Sequence, residues 1–377
     1  MNSRIQQYPF YFKSTVILLG LVILCYVLSS LQDILSPVAF AILLAILLNP
    51  LVNRLRKWKV PQVAAILISM LIATICVVGV IYFLSSQIMN FTENLPGLKD
   101  KLNGLLTDFQ IWLRKVSGIS IKKQLQLLNE TIDNNKAVVG QTLGTVFSTL
   151  SLVFLVPVYI FLLLLYKNLI LNFFFEVFVE EEHTHKVVSD ILNHAKVAIQ
   201  SYMVGLLLEA LAVATLNSIA LLILGVKYAV LLGIIGAILN ILPYIGGIIA
   251  IALPVFIATV TKDGYSTQIG IVIAYLIIQF IDNNVFVPRI VSAKVQINAL
   301  LSIIIVLLGG ALWGIGGMFL SIPFAGIMKI IFDRIDELKP WGKLLGDQIP
   351  TRHWGQAWRK RRKPSVAENV VKEVSGK

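Results

Sequence analysis

Long apolar runs, separated by short polar connections, occupy most of this chain. A helix that crosses the roughly 30 Å hydrocarbon core of a bilayer needs about 20 apolar residues. Runs of about that length or longer predict six spanning helices, at residues 14–31, 34–55, 63–89, 138–166, 198–225 and 268–287. The strands of a membrane β-barrel would alternate apolar and polar residues over short segments. The continuous runs therefore predict helices.

Two further apolar segments, residues 228–260 and 298–332, are longer and interrupted. Residues 240–247 read NILPYIGG and residues 309–317 read GGALWGIGG, and proline and glycine are the residues that permit a helix to break. As a straight helix each segment would measure about 50 Å, well beyond the core. Each segment therefore tilts, protrudes or breaks, and single crossings and hairpins both remain open.

The composition fixes the class of protein. With 57% hydrophobic residues, 14% charged residues and a mean hydropathy of +0.83, the chain departs far from the usage of soluble domains. We expect an all-α polytopic membrane protein with about eight transmembrane helices, two of them interrupted or hairpin-like. We divide it into residues 1–89 with three spans, an external segment at 90–137, the remaining spans at 138–338 and a cytoplasmic tail at 339–377.

Basic residues predict the orientation, because loops rich in lysine and arginine stay in the cytoplasm. Four basic residues follow the second span and the tail reads RKRRK at residues 359–363, so we expect both termini inside. Eight crossings satisfy this parity, and so do six crossings with two hairpins that return to their own side. The basic tail favours contact with lipid headgroups over nucleic-acid binding.

The predicted external segment has apolar residues at helical spacing. It is typical of an amphipathic element that lies on the membrane or on a neighbouring subunit of a homo-oligomer. A packed cap and a gate are both open interpretations.

Polar residues inside the apolar runs are the candidate functional groups. Carboxyl groups at membrane depth are usually functional, and we interpret Glu209 as a proton or cation site, with a helix-joining hydrogen bond as the structural alternative. Asp282 is followed by two asparagines, whose oxygens suit a hard cation or a polar solute, although Arg289 could instead neutralise the acid. The candidate coupling residues are Glu209, Asn217, Gln279, Asp282, Asn283 and Asn284.

The two interrupted segments share an I-G-G run with a later proline, a weak sign of a duplicated hairpin. Paired breaks in distant segments indicate a solute site in secondary transporters. The candidate solute path consists of Asn240, Pro243, Gly246, Gly247, Asn298, Gly309, Gly310, Gly316 and Gly317.

We assign no metal, cofactor or catalytic residue, since no phosphate loop, H-E-x-x-H or G-x-S-x-G pattern is present.

Several motifs together resemble the autoinducer-2 exporter family, the PerM-like permeases of bacteria. They lie at residues 37–40 (PVAF), 49–52 (NPLV), 201–205 (SYMVG), 224–229 (LGVKYA), 240–246 (NILPYIG), 279–288 and 309–323. The resemblance covers most of the membrane region. It implies about eight membrane helices, an external segment after the third, and transport. It does not fix the substrate, since some members are linked to autoinducer-2 export and others to sodium or lithium exchange against protons.

The sequence therefore predicts a bacterial inner-membrane secondary transporter or exporter of a small polar solute, without enzymatic activity. An alternative is an Na⁺(Li⁺)/H⁺ antiporter that uses Glu209 and Asp282. A further alternative is an oligomeric scaffold that transports nothing.

Overall fold

The computed structural model describes residues 9–93, 104, 107, 110, 111, 115, 142–178, 182–241, 246–262, 264–291 and 297–347. Every regular element in these ranges is helical. Most of the predicted external segment and most of the predicted tail lie outside the described residues, as does Pro243.

The helices follow the predicted apolar segments closely. By length and composition, five described helices are long enough to cross a membrane, including Ala299–Arg334, which folds back on itself as described below. The bent pair at residues 154–165 and 167–177 raises the number to six. The prediction of an all-α polytopic membrane protein is confirmed. The elements are α1 Phe10–Ser30, α2 Gln32–Lys57, α3 Gln62–Glu93, α4 Thr142–Leu165, α5 Lys167–Phe178, α6 Glu182–Ile223, α7 Ala229–Asn240, α8 Gly246–Thr261, α9 Ser266–Ile281, a π-helical stretch Asp282–Val291, α10 Ala299–Arg334, a 3₁₀ turn Asp336–Leu338 and α11 Lys339–Leu345.

Helix α6 is the centre of the bundle, since it packs against α2, α5, α7, α9, α10 and the π-helical stretch. Three apolar clusters hold the helices together. One joins the end of α6 to α7, α8 and α9, the second joins α2, α6 and α10, and the third joins α2, α3 and α4. Helix α1, in contrast, is exposed along nearly its whole length, which suits contact with lipid.

The first interrupted segment is a hairpin of α7 and α8. A Cβ at Gly236 would lie 3.5 Å from the Cβ of Ala250, whereas residues 14 apart in one straight helix are separated by about 21 Å. Gly246 packs so closely on the carbonyl of Leu239 that no side chain fits there. The hairpin base is also closed, because Gly225 lies beside the Lys262 ammonium group.

The second interrupted segment, α10, is also folded back on itself. Trp313 (φ −133°, ψ 24°) and Gly314 (φ 58°, ψ −144°) leave the helical conformation, and the positive φ at position 314 favours glycine. Gly309 lies directly against both Gly317 and the hydroxyl of Ser321. A straight helix would separate residues 309 and 317 by about 12 Å, so the chain reverses at Trp313 and Gly314.

The base of this second hairpin is tied to α11. The Asn298 backbone N–H donates to the carbonyl of Leu345 at 2.9 Å, and its side-chain Nδ2 donates to the carbonyl of Leu344 at 2.7 Å. Since α11 follows shortly after Arg334, the start and the end of α10 lie on the same side. The sequence left single crossings and hairpins open, and in the structure both interrupted segments are hairpins.

Candidate functional site: a polar cluster at the tip of the first hairpin

Asp282 lies where the last residue of α7 meets the end of α9. Its side chain is 2% exposed, and its Oδ2 accepts a hydrogen bond of 2.9 Å from Nδ2 of Asn240. The second carboxyl oxygen, Oδ1, is buried without a hydrogen-bond partner among the described residues. A buried oxygen of this kind needs a donor or a cation to offset its lost hydration.

The backbone changes its winding at this residue. Helix α9 ends at Ile281 and continues as the π-helical stretch Asp282–Val291, which contains Pro288. Proline cannot donate the usual backbone hydrogen bond, which accounts for part of the irregular winding. Wider π-type turns frequently occur at functional sites.

Gly247, near the start of α8, brings a second amide into the cluster. A Cβ at this position would lie 3.0 Å from Oε1 of Gln279 and 3.9 Å from Oδ1 of Asn240. Gln279 Nε2 in turn donates to Oδ1 of Asn283 at 3.5 Å. Because Gly247 has no side chain, the side-chain amides of Gln279 and Asn240 can both lie next to it.

Glu209, in the middle of α6, is the second acid of the cluster. It is 7% exposed, and α6 packs against the π-helical stretch that begins with Asp282. Tyr202, two turns earlier on α6, is also buried. Two buried acids on packed helices resist carrying two unbalanced charges in a low-dielectric setting.

A second set of polar side chains lies two turns away along α6 and α9. Asn217 of α6 and Tyr275 of α9 both lie close to Gly236 of α7: a Cβ at Gly236 would be 3.2 Å from Asn217 Nδ2 and 3.6 Å from the Tyr275 hydroxyl. Asn217 Oδ1 and the Tyr275 hydroxyl are both buried without a hydrogen-bond partner in the described part of the chain. Polar atoms thus line α6 and α9 along the first hairpin.

Comparison with known proteins gives this arrangement a context. The family model described as "AI-2E family transporter" matches residues 15–337. The chain belongs to the AI-2E transporter family. The resemblance that the motifs suggested is therefore confirmed, and this AI-2E family member is a membrane transporter by class.

Three relatives each match this chain over 80–85% of its length. It is 28% identical to the AI-2 transport protein TqsA of Escherichia coli K12, over 85% of this chain and 91% of that protein. It is 26% identical to the putative transport protein YueF of Bacillus subtilis, over 80% and 84%. It is 27% identical to the putative permease PerM of Escherichia coli K12, over 80% and 87%.

The structure separates the residues that the sequence proposed for one path. It brings together Asn240, Gly247, Gln279 and Asp282, and Glu209 lies on the helix that packs against Asp282. Gly246, the first residue of α8, packs against the end of α7. Asn283 and Asn284 are exposed, and Asn284 Nδ2 donates to the carbonyl of Phe280 at 2.8 Å. The residues of the second hairpin lie elsewhere: Asn298 at its base, and Gly309, Gly310, Gly316 and Gly317 in its packing.

The suggested neutralisation of Asp282 by Arg289 is not observed. Arg289 is exposed, and Asp282 takes its hydrogen bond from Asn240. Among the described residues, no group of three His, Cys, Asp or Glu side chains is placed to hold a metal ion. The cluster therefore consists of hydrogen-bonding side chains around a buried carboxylate.

Sequence reasoning missed Tyr202, Tyr275 and Gln268, whose polar side chains are buried in this structure. Gln268 Oε1 is buried without a hydrogen-bond partner in the described ranges. The signal was present, because a phenol or an amide inside an apolar run needs a partner. Gly236 was also missed, since a glycine in an uninterrupted helical pattern looks the same whether it faces lipid or a neighbouring helix.

Proposed function

We propose that this protein is a secondary transporter of the bacterial cytoplasmic membrane, which moves a small polar solute without ATP hydrolysis. The observation that carries the proposal is the buried Asp282, which is held by Asn240 at the hairpin tip and has one oxygen without a hydrogen-bond partner among the described residues. A second buried acid, Glu209, lies on the helix that packs against this stretch. A relative named as an AI-2 transport protein makes an autoinducer-2-type solute the first candidate. Family membership supports a permease rather than an enzyme.

The orientation in this proposal follows from the basic loop after α2. With Arg54, Arg56 and Lys57 in the cytoplasm, helices α1 to α4, α6 and α9 cross the membrane and both termini lie inside. The first hairpin then enters from the outside, between α6 and α9. The second enters from the inside, between α9 and the C-terminal tail.

The free polar atoms indicate the chemistry of the solute. Asn217 Oδ1 and Asp282 Oδ1 accept hydrogen bonds, and the Tyr275 hydroxyl can both donate and accept. A polyhydroxylated solute supplies several donors and acceptors, and it satisfies such atoms one after another along α6 and α9. A purely apolar solute leaves them unpaired, at a cost of about 1–3 kcal/mol each.

The paired acids favour a second candidate, antiport of sodium or lithium against protons. Two carboxylates buried on packed helices bind one proton or one monovalent cation more readily than none, because either ligand relieves their repulsion. The same pair also serves solute transport, since a proton that binds there couples the solute to the proton gradient. The two candidates differ in cargo and share the site.

A flux experiment in reconstituted vesicles tests the proposal. Glu209→Gln is compared with wild type and with Glu337→Gln, which removes an exposed acid from the 3₁₀ turn. Uptake of labelled autoinducer-2 is measured under an imposed pH gradient, and in parallel a pH dye reports proton release on adding sodium or lithium.

We expect loss of coupled flux in Glu209→Gln and wild-type flux in Glu337→Gln. Solute uptake identifies the exporter, and cation-dependent proton release identifies the antiporter. Unchanged flux in Glu209→Gln removes this residue from the mechanism. Wild-type vesicles that move neither cargo contradict the proposal and leave the scaffold as the better explanation.

A further inference from the structure

A second polar recess lies away from the hairpins, where the end of α2 meets the start of α3, the end of α4 and the start of α5. It is partly open to solvent, and its cavity volume of about 20 Å³ is room for about one water-sized group, such as one oxygen of a larger anion. Six of its lining side chains are polar or basic, and none is acidic. The lining consists of Asn49, Val52, Asn53, Arg56, Gln62, Leu164, Lys167 and Asn168.

The recess is held in shape by hydrogen bonds to buried groups. Lys167 Nζ donates to Oδ1 of Asn49 at 3.1 Å, and the Asn49 side chain is 5% exposed. Gln62 Nε2 donates to the carbonyl of Leu165 at 3.1 Å, which joins α3 to the end of α4. The lysine is therefore fixed at the wall of the recess instead of extending into solvent.

Positive charge accumulates around the recess. Helix α4, with 24 residues, is long enough for a bilayer core, and Lys167 lies beyond its last residue, past a bend of 65°. Burial lowers the pKa of the Lys167 ammonium group, and the charges of Lys196 and Arg56 lower it further. Within the described residues, no carboxylate forms an ion pair with any of these three cations.

The start of α5 adds to this field. Lys167 and Asn168 are the first two residues of that helix of 12 residues, and a helix N-terminus carries a partial positive charge that favours anions. Two basic side chains, four amide side chains and a helix N-terminus thus converge on one partly open space. This combination matches the oxygens of a phosphate group, which accept hydrogen bonds from cations and amides together.

We infer that this recess is a binding site for a phosphate-bearing anion at the membrane surface. Two sources supply that chemistry: the headgroup of an anionic phospholipid, or a soluble phosphate compound. Basic pockets between membrane helices on the cytoplasmic side bind lipid headgroups of this kind, and the proposed orientation places the recess on that side. The site is separate from the polar cluster, since the helices that line the recess are α2 to α5, whereas α6 to α9 form the cluster.

Binding to wild type and to two charge-matched variants tests the inference. Arg56→Gln/Lys167→Gln removes two charges from the recess. Arg54→Gln/Lys57→Gln removes two charges from the same end of α2 without touching the lining. The protein is placed in nanodiscs of phosphatidylcholine with or without phosphatidylglycerol, and thermal stability is measured. Inorganic phosphate is titrated separately into the phosphatidylcholine samples.

We expect an anion-dependent stabilisation of wild type, together with at least a tenfold loss of apparent affinity in the recess variant and less than a twofold loss in the control variant. Stabilisation by phosphatidylglycerol identifies the lipid as the source, and stabilisation by inorganic phosphate identifies a soluble compound. Wild type that responds to neither probe, or variants that respond equally, overturns the inference.

If the Arg56→Gln/Lys167→Gln variant does not fold, a single substitution at the rim of the recess tests the same site. Asn168 is exposed at the rim of the recess, so Asn168→Asp adds a negative charge without disturbing the core. We expect it to weaken binding of the same probe several-fold. An Asn168→Asp protein that binds the probe as tightly as wild type contradicts the site.

Discussion

The two hairpins share a glycine-rich turn and differ in what surrounds it. At the first hairpin, Asn240 and Gly247 lie against Gln279 and the buried Asp282. At the second, Gly309 and Gly317 pack against each other, and the indole of Trp313 donates a hydrogen bond of 2.9 Å to the backbone carbonyl of Leu28 in α1. One turn is lined by polar side chains, whereas the other is filled by close backbone packing.

This difference shows that a helix break inside a membrane protein is not by itself a solute site. Broken backbone persists at membrane depth where protein surrounds it or where water reaches it. The second hairpin meets the first condition, since Phe40 of α2 lies 3.2 Å from the position of a Cβ at Gly316. The first hairpin carries buried oxygens that have no hydrogen-bond partner among the described residues, and our proposal is that water or solute reaches them.

The largest effect is expected at the acid of the first hairpin. Asp282→Asn keeps the shape of the side chain and removes its charge, so we predict at least a tenfold loss of flux in reconstituted vesicles, with normal folding. Asp333→Asn is the control, because Asp333 is an exposed residue paired with Lys329 at 2.6 Å. Flux in Asp282→Asn that equals the flux of this control would remove Asp282 from the transport path.

A smaller effect, on stability instead of flux, is expected at the second hairpin. A Cβ at Gly317 would lie 2.9 Å from the Cβ of Trp313 and against the carbonyl of Gly309. We predict that Gly317→Ala lowers the free energy of unfolding by about 1–3 kcal/mol, measured by thermal or denaturant unfolding in detergent. Gly79→Ala, which meets nothing within 4 Å, should cost nothing, and equal losses in both variants would contradict close packing.

The smallest effect is expected at the base of the second hairpin. Asn298 Oδ1 accepts from the backbone N–H of Leu301 at 2.9 Å, which caps α10. Asn298→Ala should cost about 1 kcal/mol of stability for the cap, with flux unchanged, in paired unfolding and transport assays. Asn298→Asp retains the cap and should recover part of that loss. A large flux defect in Asn298→Ala would instead return this residue to the solute path.

The sequence predicted the fold well because apolar run length is a strong signal in membranes. It located both interruptions, through Gly246 and Gly247 and through the glycines of residues 309–317. It did not decide between crossings and hairpins, since glycine and proline permit a break without setting its angle. That choice depends on long-range contacts such as Gly236 with Ala250 and Asn298 with α11.

The candidate site was predicted only in part, because some of its contacts join residues that are far apart in the sequence. Glu209 and Asp282 stand out as acids in apolar sequence, and both are in the polar cluster. Pairing of Arg289 with Asp282 was one of two open interpretations, because the two residues lie about two turns apart. The π-helical winding begins at Asp282 and changes the faces of the residues that follow. Tertiary contacts, which local spacing does not contain, selected Asn240 as the partner.

Water accessibility of the two turns tests the central claim most directly. In a background with Cys25 and Cys76 replaced, Asn240→Cys and Ser321→Cys are each exposed to a small, charged, water-soluble thiol reagent in intact vesicles. We predict fast labelling at position 240 and none at position 321, which is buried in the second hairpin. A cysteine at position 240 as inert as the one at position 321 would show that the first turn is dry and would contradict a solute path there.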